Sequence, residues 1–428
     1  MSKEIYLSEL GFINCFHSNP RGNIMHYLLS QVKDHRKRTT ARFYFSPKYF
    51  IMYQTFLAGL FLLVNLSTSF ASPDGDLLLI SPGARATGMG EVQTALVDPM
   101  AGHFNAGSMG VFSLDHGFSF SRSSVDWRHS YLNDHDFHLD HAQLFTGRRL
   151  IKKTEDNPFE LSGGLDLTRT FEDLGEFEQR GEFGEILGTY DWWERNYSAG
   201  LSLGFRRIIE IGIGYKLNYL TSEHEPEYKA NNSQNRISYD WGVLFRLPLS
   251  KIFEQNNPII PMFFDPFQFD IIPSYGYSRS NLGGTDKDPL VEIYRRGYAV
   301  EFRFDLPDIS LLSFIYAQDI DKNRYNPRHM AWGDEHSGIG REISFFDAFI
   351  FRWGEYHYYS ETTEGYTIQS RGLMKIIYEG SKRSEWAQGD LYKFVMNRMN
   401  FRYSHSSREL GYDSPVVDFD WIEFGISF

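Results

Sequence analysis

The run Asp134-His135-Asp136-Phe137-His138-Leu139-Asp140-His141 is the densest set of metal-ligating side chains in the sequence. On a strand, Asp136, His138 and Asp140 would share one face, with His135 and His141 on the other beside Phe137 and Leu139. A metal site needs ligands converging from more than one element, and no partner cluster can be named. The run therefore reads as a polar loop entering a strand, and no metal is expected. Ser, His and Asp are plentiful, but no Gly-x-Ser-x-Gly elbow is present, and a triad cannot be recognised from unplaced residues. His116 and Ser119 read as lining residues near the first strand. Gly83 to Gly88 has the spacing of a phosphate loop, yet Met89 stands where lysine is needed. Neither enzymatic chemistry nor a cofactor is expected.

The elements around these residues point elsewhere. Ile209, Ile211, Ile213, Tyr215, Leu217 and Tyr219 alternate with Glu210, Gly212, Gly214, Lys216 and Asn218. Ile237 to Leu247, Phe267 to Tyr277 and Tyr298 to Leu306 repeat the pattern, and weaker examples fall near 111–120, 137–145, 159–168, 199–206, 343–353, 373–378 and 395–403. A period of two gives a strand one apolar and one polar face. Several runs reach the roughly 9–11 residues that a tilted strand needs to cross a bilayer. The apolar faces of the best runs carry no charge, and the polar faces carry both signs, as a lipid-facing wall around a hydrated lumen requires. About twelve or thirteen strands are legible, whereas bacterial barrels have an even number. The segments 121–136, 169–196, 220–236, 279–297 and 319–342 read as long polar loops on one side. The Pro-rich stretch 248–266 reads as a long connection on the other.

Composition agrees. Aromatics make up 17% of the 428 residues, enough for interfacial girdles. The mean hydropathy of −0.40 is too polar for a bundle of membrane helices. A net charge of −12 with no basic stripe excludes a nucleic-acid partner. The apolar run 55–70 followed by Ala71 reads as a secretory signal, with cleavage between Ala71 and Ser72. It makes 1–71 an export region whose over-long leading part fits translation from Met25. Cys15, the single cysteine, lies in that region, so the exported part has no disulfide. At the other end Ile422, Phe424, Ile426 and Phe428 occupy one face of a last strand, the form in which an outer-membrane barrel meets the barrel-assembly machinery.

Residues 77–112 carry a resemblance. The apolar lead-in to Ile80-Ser81-Pro82, then Arg85, the cluster Gly88-Met89-Gly90-Glu91, Ala95, Asp98, and Asn105 after an aromatic, resemble the start of the PorV/PorQ family, relatives of the FadL outer-membrane barrels, and Gly83 falls within the same segment. The resemblance implies an all-β fold: a transmembrane antiparallel β-barrel of roughly 14 strands with a small N-terminal hatch inside its periplasmic mouth. The hatch would occupy 72–110 and the barrel 111–428. This chain departs from the family at Asn105-Ala106-Gly107, where Asn-Pro-Ala is usual, and at Asp98-Pro99, where an acidic pair is common. As a plug the segment is physically sensible: its glycines permit close approach, Pro82 fixes a bend, and Arg85 and Glu91 can pair with lumen charges such as Asp240 or Arg303.

By resemblance the chain would be an outer-membrane protein of PorV type, receiving exported client proteins in a type IX-like secretion pathway and contacting lipid, secreted clients and secretion components. The alternative is a FadL-like transporter of hydrophobic small molecules. A transporter predicts an apolar pocket beside the hatch and an opening in the wall. A client carrier predicts a well-filled lumen and an exposed apolar or aromatic patch on its outer loops, for which Trp127, Trp192, Trp193 and Trp332 are candidates, the outer girdle being their other reading.

Overall fold

The computed structural model describes Leu78 and residues 81–427, apart from 129–135, 155–156, 181–185, 224–235, 257–266, 284–289, 307–308, 325–334, 357–360, 382–388 and 410–415. The export region with Ala71 and Ser72, and also Ile80, Trp332 and Phe428, lie outside the described residues.

Alternation becomes a wall. The strands are β1 (His116–Arg128), β2 (Asp136–Ile151), β3 (Glu160–Arg180), β4 (Ile186–Arg206), β5 (Glu210–Glu223), β6 (Arg236–Arg246), β7 (Gln268–Leu282), β8 (Glu292–Leu306), β9 (Ile309–Arg324), β10 (Glu335–Phe345), β11 (Phe349–Tyr356), β12 (Glu361–Gln369), β13 (Met399–Glu409) and β14 (Val416–Ser427). Each pairs antiparallel with its neighbours in sequence, and β14 returns to β1 in register Phe118↔Ile426 and Phe120↔Phe424 to close a 14-stranded barrel. Closure leaves no edge strand, so the backbone is satisfied without water.

Burial is inside-out relative to a soluble protein. Leu201, Ile213 and Ile422 are 65%, 56% and 64% exposed on the outer face, whereas Lys216, Asn218, Asp240 and Glu423 are buried on the inner one. Tyr215 stacks with Tyr239 on the outside. Such an exterior is stable only against an apolar medium. The chain is a barrel of the bacterial outer membrane.

The two ends of the barrel differ. At one, the chain turns within 207–209 and 346–348, β1 begins and β14 ends; this is the periplasmic end in barrels of this type. Two longer insertions also lie there, one carrying α3 (Leu249–Asn256), the other α4 (Ser370–Ser381) and α5 (Asp390–Arg398).

Several sequence expectations are corrected. Most of 169–196 belongs to β3 and β4, which run on past the apolar belt, where outward residues turn polar and the periodic signal fades. The stretch 343–353 is two strands joined by a tight turn, and β12 is an additional strand. Residues 373–378 form part of helix α4, because Leu373, Ile376 and Ile377 follow helical rather than alternating spacing. The first strand begins at His116, and 111–115 continue a helix.

Leu201→Arg on the lipid face should destabilise the barrel by about 2–4 kcal/mol in denaturant titrations of the lipid-reconstituted protein. An unchanged midpoint would mean that this face is not in hydrocarbon.

Candidate functional site: the filled lumen

Residues 81–115 run through the barrel as α1 (Ala84–Gly88), a 3₁₀ turn (Pro99–His103) and α2 (Ala106–Asp115). Local chemistry sets this path. Gly90 and Glu91 have positive φ, 68° and 61°, and reverse the chain after α1. The Asp98 carboxylate accepts from the Met100 N–H at 3.0 Å to start the 3₁₀ turn, with Pro99 at its first position. Asn105 caps α2 by accepting from the Gly107 N–H at 3.0 Å, while its Nδ2 donates to the Thr94 and Val243 carbonyls at 2.8 and 3.0 Å. One side chain thus joins the helix start, the preceding turn and the wall.

The wall receives this segment on a track of inward glycines. A Cβ at Gly204 would overlap the Gly110 carbonyl, one at Gly212 the Gly107 carbonyl, one at Gly276 the Thr94 carbonyl, and one at Gly338 the Gly90 carbonyl. The fit is reciprocal: a Cβ on Gly107 would meet the Gly242 carbonyl at 2.7 Å, which gives a steric reason for glycine there. Gly88 lies against Gly365, and Gly83 against Met100. Met89 is buried in an apolar cluster with Val92, Leu96, Leu244 and Ile315.

Charges fasten the segment at several points. Arg85 donates twice to Glu342, from Nε and Nη2, both at 2.9 Å, and from Nη1 to the Val97 carbonyl at 3.1 Å. Arg352 Nε reaches the same carboxylate at 2.6 Å. Asp98 lies 3.6 Å from Arg85 and accepts from Arg402 at 2.9 Å. Arg402 also meets Glu423 on β14 at 3.1 Å. Burial alone would lower it, but the Glu342 and Asp98 carboxylates hold the Arg85 guanidinium above its ordinary value. Glu91 pairs with Arg408 at 3.2 Å, although burial pushes its carboxyl up. Asp319 accepts from the Gln93 and Thr94 N–H groups, both at 2.8 Å, and Asp115 grips Arg206 through two bonds of 2.6 and 2.8 Å.

These pairs differ from those expected. Asp240 is taken by Asn218 and the Asn281 N–H, and Arg303 by Glu301. Alternation tells which side chains face inward, but not their height or azimuth on the barrel. Ile422 faces outward, and Phe424 pairs with Phe120 and Phe401. In the histidine run, Asp140 binds Arg122 and Arg169, and buried His141 bonds to Thr170 at 2.8 Å; among the described residues no group of three possible metal ligands converges. His116 stacks on Phe112, and Ser119 donates to Glu423. Trp193 is half-buried beside Arg195, and the Trp127 and Trp192 side chains lie outside what is described. Glu342, Arg352 and Arg402 escaped the sequence reading, which placed wall glycines such as Gly212 and Gly214 on the polar faces but assigned them no contact; the glycine recurring at inward positions of the alternating runs was the signal for the track.

Two surfaces flank the segment. Toward the short-turn end lies a cavity of about 630 Å³, bounded by Arg85, Asp98, Arg246, Glu301, Arg303 and Arg402 among others, and most of these are paired with each other or with the wall. On the β2–β1–β14 side, inward Val125, Leu139, Phe419 and Trp421 make a dry patch against Ala84 and Met100.

No family model matches the chain, and no curated protein matches it. Among solved structures it is similar to a mutant of the monoaromatic hydrocarbon channel TodX, at 10% identity over 81% of this chain and 99% of that one, with a TM-score of 0.42. It is also similar to the Pseudomonas putida toluene transporter TodX, at 9% identity over 81% and 98%, with a TM-score of 0.40. The β domain of the Bordetella autotransporter BrkA follows at 9% identity over 73% and 100%, with a TM-score of 0.28.

Glu342→Gln removes the carboxylate that Arg352 pairs with and leaves Arg85 only Asp98 at 3.6 Å, a loss of about 3–5 kcal/mol for a broken buried pair. In the folded barrel, trypsin should then cut after Arg85, which the wild type protects. Equal protection would show that this cluster does not seat the segment.

Proposed function

We propose that the chain is a gated outer-membrane transporter for hydrophobic small molecules, with residues 81–115 as the moving plug. The observation that carries this reading is the dry patch of Val125, Leu139, Phe419 and Trp421. Apolar wall residues also meet the plug on β6, β8 and β9, where Leu244, Ala299, Ile315 and Ala317 cluster with Met89 and Val92, but there the Asp319 carboxylate on β9 fastens the segment; on β14, β1 and β2 the apolar side chains face Ala84 and Met100 with no carboxylate between them. Separating the plug from this flank breaks no ion pair, whereas separation on the β10–β13 side breaks the Arg85, Asp98 and Glu91 contacts. An apolar solute entering there would replace one apolar contact by another, at little desolvation cost.

A second reading, the PorV-type carrier of exported clients, draws support from the same plug. A plug seated against many strands of the wall and a charged periplasmic cavity suit a barrel that works through its rim rather than its bore. On either reading the barrel-assembly machinery and outer-membrane lipid are partners, and 72–110 acts as a unit distinct from the wall.

Locking the plug separates the two. The Met100 Sδ lies 3.8 Å from the Ser121 Oγ on β1, so Met100→Cys with Ser121→Cys, oxidised through a short dithiol spacer, staples the 3₁₀ turn to the flank that has to part. Oxidised cells should take up a radiolabelled aromatic hydrocarbon no faster than cells lacking the protein, and reductant should restore uptake. Uptake indifferent to oxidation, with secreted proteins co-purifying with the stapled barrel, would favour the carrier.

A further inference from the structure

Most connections at the periplasmic end are short, but β12 and β13 are joined there by the helical hairpin α4–α5. The faces of α4 are sharply divided. Arg371, Lys375 and Tyr378, spaced i, i+4, i+7, line the charged cavity, so the opposite side points away from the lumen. On that side Leu373, Ile376 and Ile377 are exposed, and α5 adds Leu391 and Phe394. Leu391 is 75% exposed. In water, large apolar side chains gathered on one hairpin would be an unstable surface.

The hairpin is fixed rather than loosely attached. Gly372 packs so closely on the Phe346 carbonyl that a Cβ would overlap it, which holds α4 to the β10–β11 turn, and Tyr378 meets Tyr392 across the two helices at 6.0 Å. Its position relative to the lipid-facing belt decides what covers it. Ile368 on the outer face of β12 precedes α4 directly, Phe401 on β13 follows α5, and Phe345 and Phe349 flank the same rim, all exposed outward. The apolar stripe therefore continues the hydrocarbon-facing surface of the wall. Lys393 and exposed Arg398 on α5 add positive charge at this level. An amphipathic helix with an apolar stripe and basic neighbours is the form that lies in a bilayer interface.

We propose that α4–α5 is an interfacial anchor, lying in the headgroup layer of the periplasmic leaflet with Leu373, Ile376, Ile377, Leu391 and Phe394 dipped into the acyl chains. Its partner is a phospholipid surface. The anchor holds Arg371 and Lys375 over the cavity mouth at a fixed height, whichever solute or client the barrel serves; it rests on the membrane position of the barrel and not on the transport reading.

The test uses the full chain with Cys15 replaced, reconstituted in phosphatidylethanolamine–phosphatidylglycerol nanodiscs, with an environment-sensitive fluorophore on Ile377→Cys, Leu391→Cys or, as an aqueous control, Lys153→Cys. Heat-modifiable migration confirms a folded barrel for each variant. With brominated acyl chains, emission at 377 and 391 should fall about two-fold or more while position 153 is unaffected, and iodide should quench only 153. Quenching of 377 and 391 by iodide as at 153 would overturn the proposal. Protection from both quenchers would overturn it as well, since a second copy or another protein would then cover the stripe.

Discussion

Backbone lies against backbone in this barrel, and the rest of the structure follows from the absence of side chains between them. Residues 89–110 can run along the wall only because Gly204, Gly212, Gly276 and Gly338 present nothing but main chain. Glycine weakens a strand of its own accord. In a closed barrel that weakness is tolerable, because each of these strands is hydrogen-bonded on both sides and its outer residues are held by lipid. The same glycines make the fit specific, since a shift of two residues, the spacing of inward positions, would bring Lys216 from beside Gly214 or Asp240 from beside Gly242 onto the track.

The charged contacts add selection rather than bulk stability. Burying Arg85, Glu342 and Arg352 together costs desolvation that their mutual bonds roughly offset. What the cluster gains is discrimination: a misplaced segment leaves guanidinium groups without counter-charges. Ion pairs to the segment concentrate on β10 and β13 and at the Asp115–Arg206 end, while the β2–β1–β14 flank meets it through the apolar patch, with no ion pair to it among the described residues. A plug held by ion pairs on one side, and on the other by apolar packing and neutral hydrogen bonds such as that from Gln143 to the Pro99 carbonyl, has a preferred direction of release. That asymmetry joins the architecture to the transport reading, and it owes nothing to the length or shape of the outer connections.

Much of this was legible in the sequence, and the failures have physical causes. Two-residue alternation identified the lipid face of β5, β6, β7 and β8 because one side of each meets hydrocarbon and the other meets charge. It failed in 169–196, where the strands leave the bilayer and both faces meet polar surroundings. It misread 373–378 because leucine and isoleucine at helical spacing look strand-like in a short window. Pro82, Gly83, Gly88, Gly90 and Asn105 stood out by residue type, and the structure gives Gly90 and Asn105 defined tasks in turning and capping. The partners of Arg85 could not be read at all: Glu342 lies 257 residues away, and only the closed registers of the whole sheet bring the two together.

The central claim is that 81–115 closes the lumen by fitting the wall, and that it can leave the wall without unfolding it. Ion conductance of the full chain in a planar bilayer, followed through a reversible urea titration, tests this most directly. The account predicts a barrel nearly silent in buffer that opens to a steady pore at urea concentrations leaving its strand content intact, and closes again on dilution. A pore already open in buffer, or silence until the strands themselves melt, would contradict it.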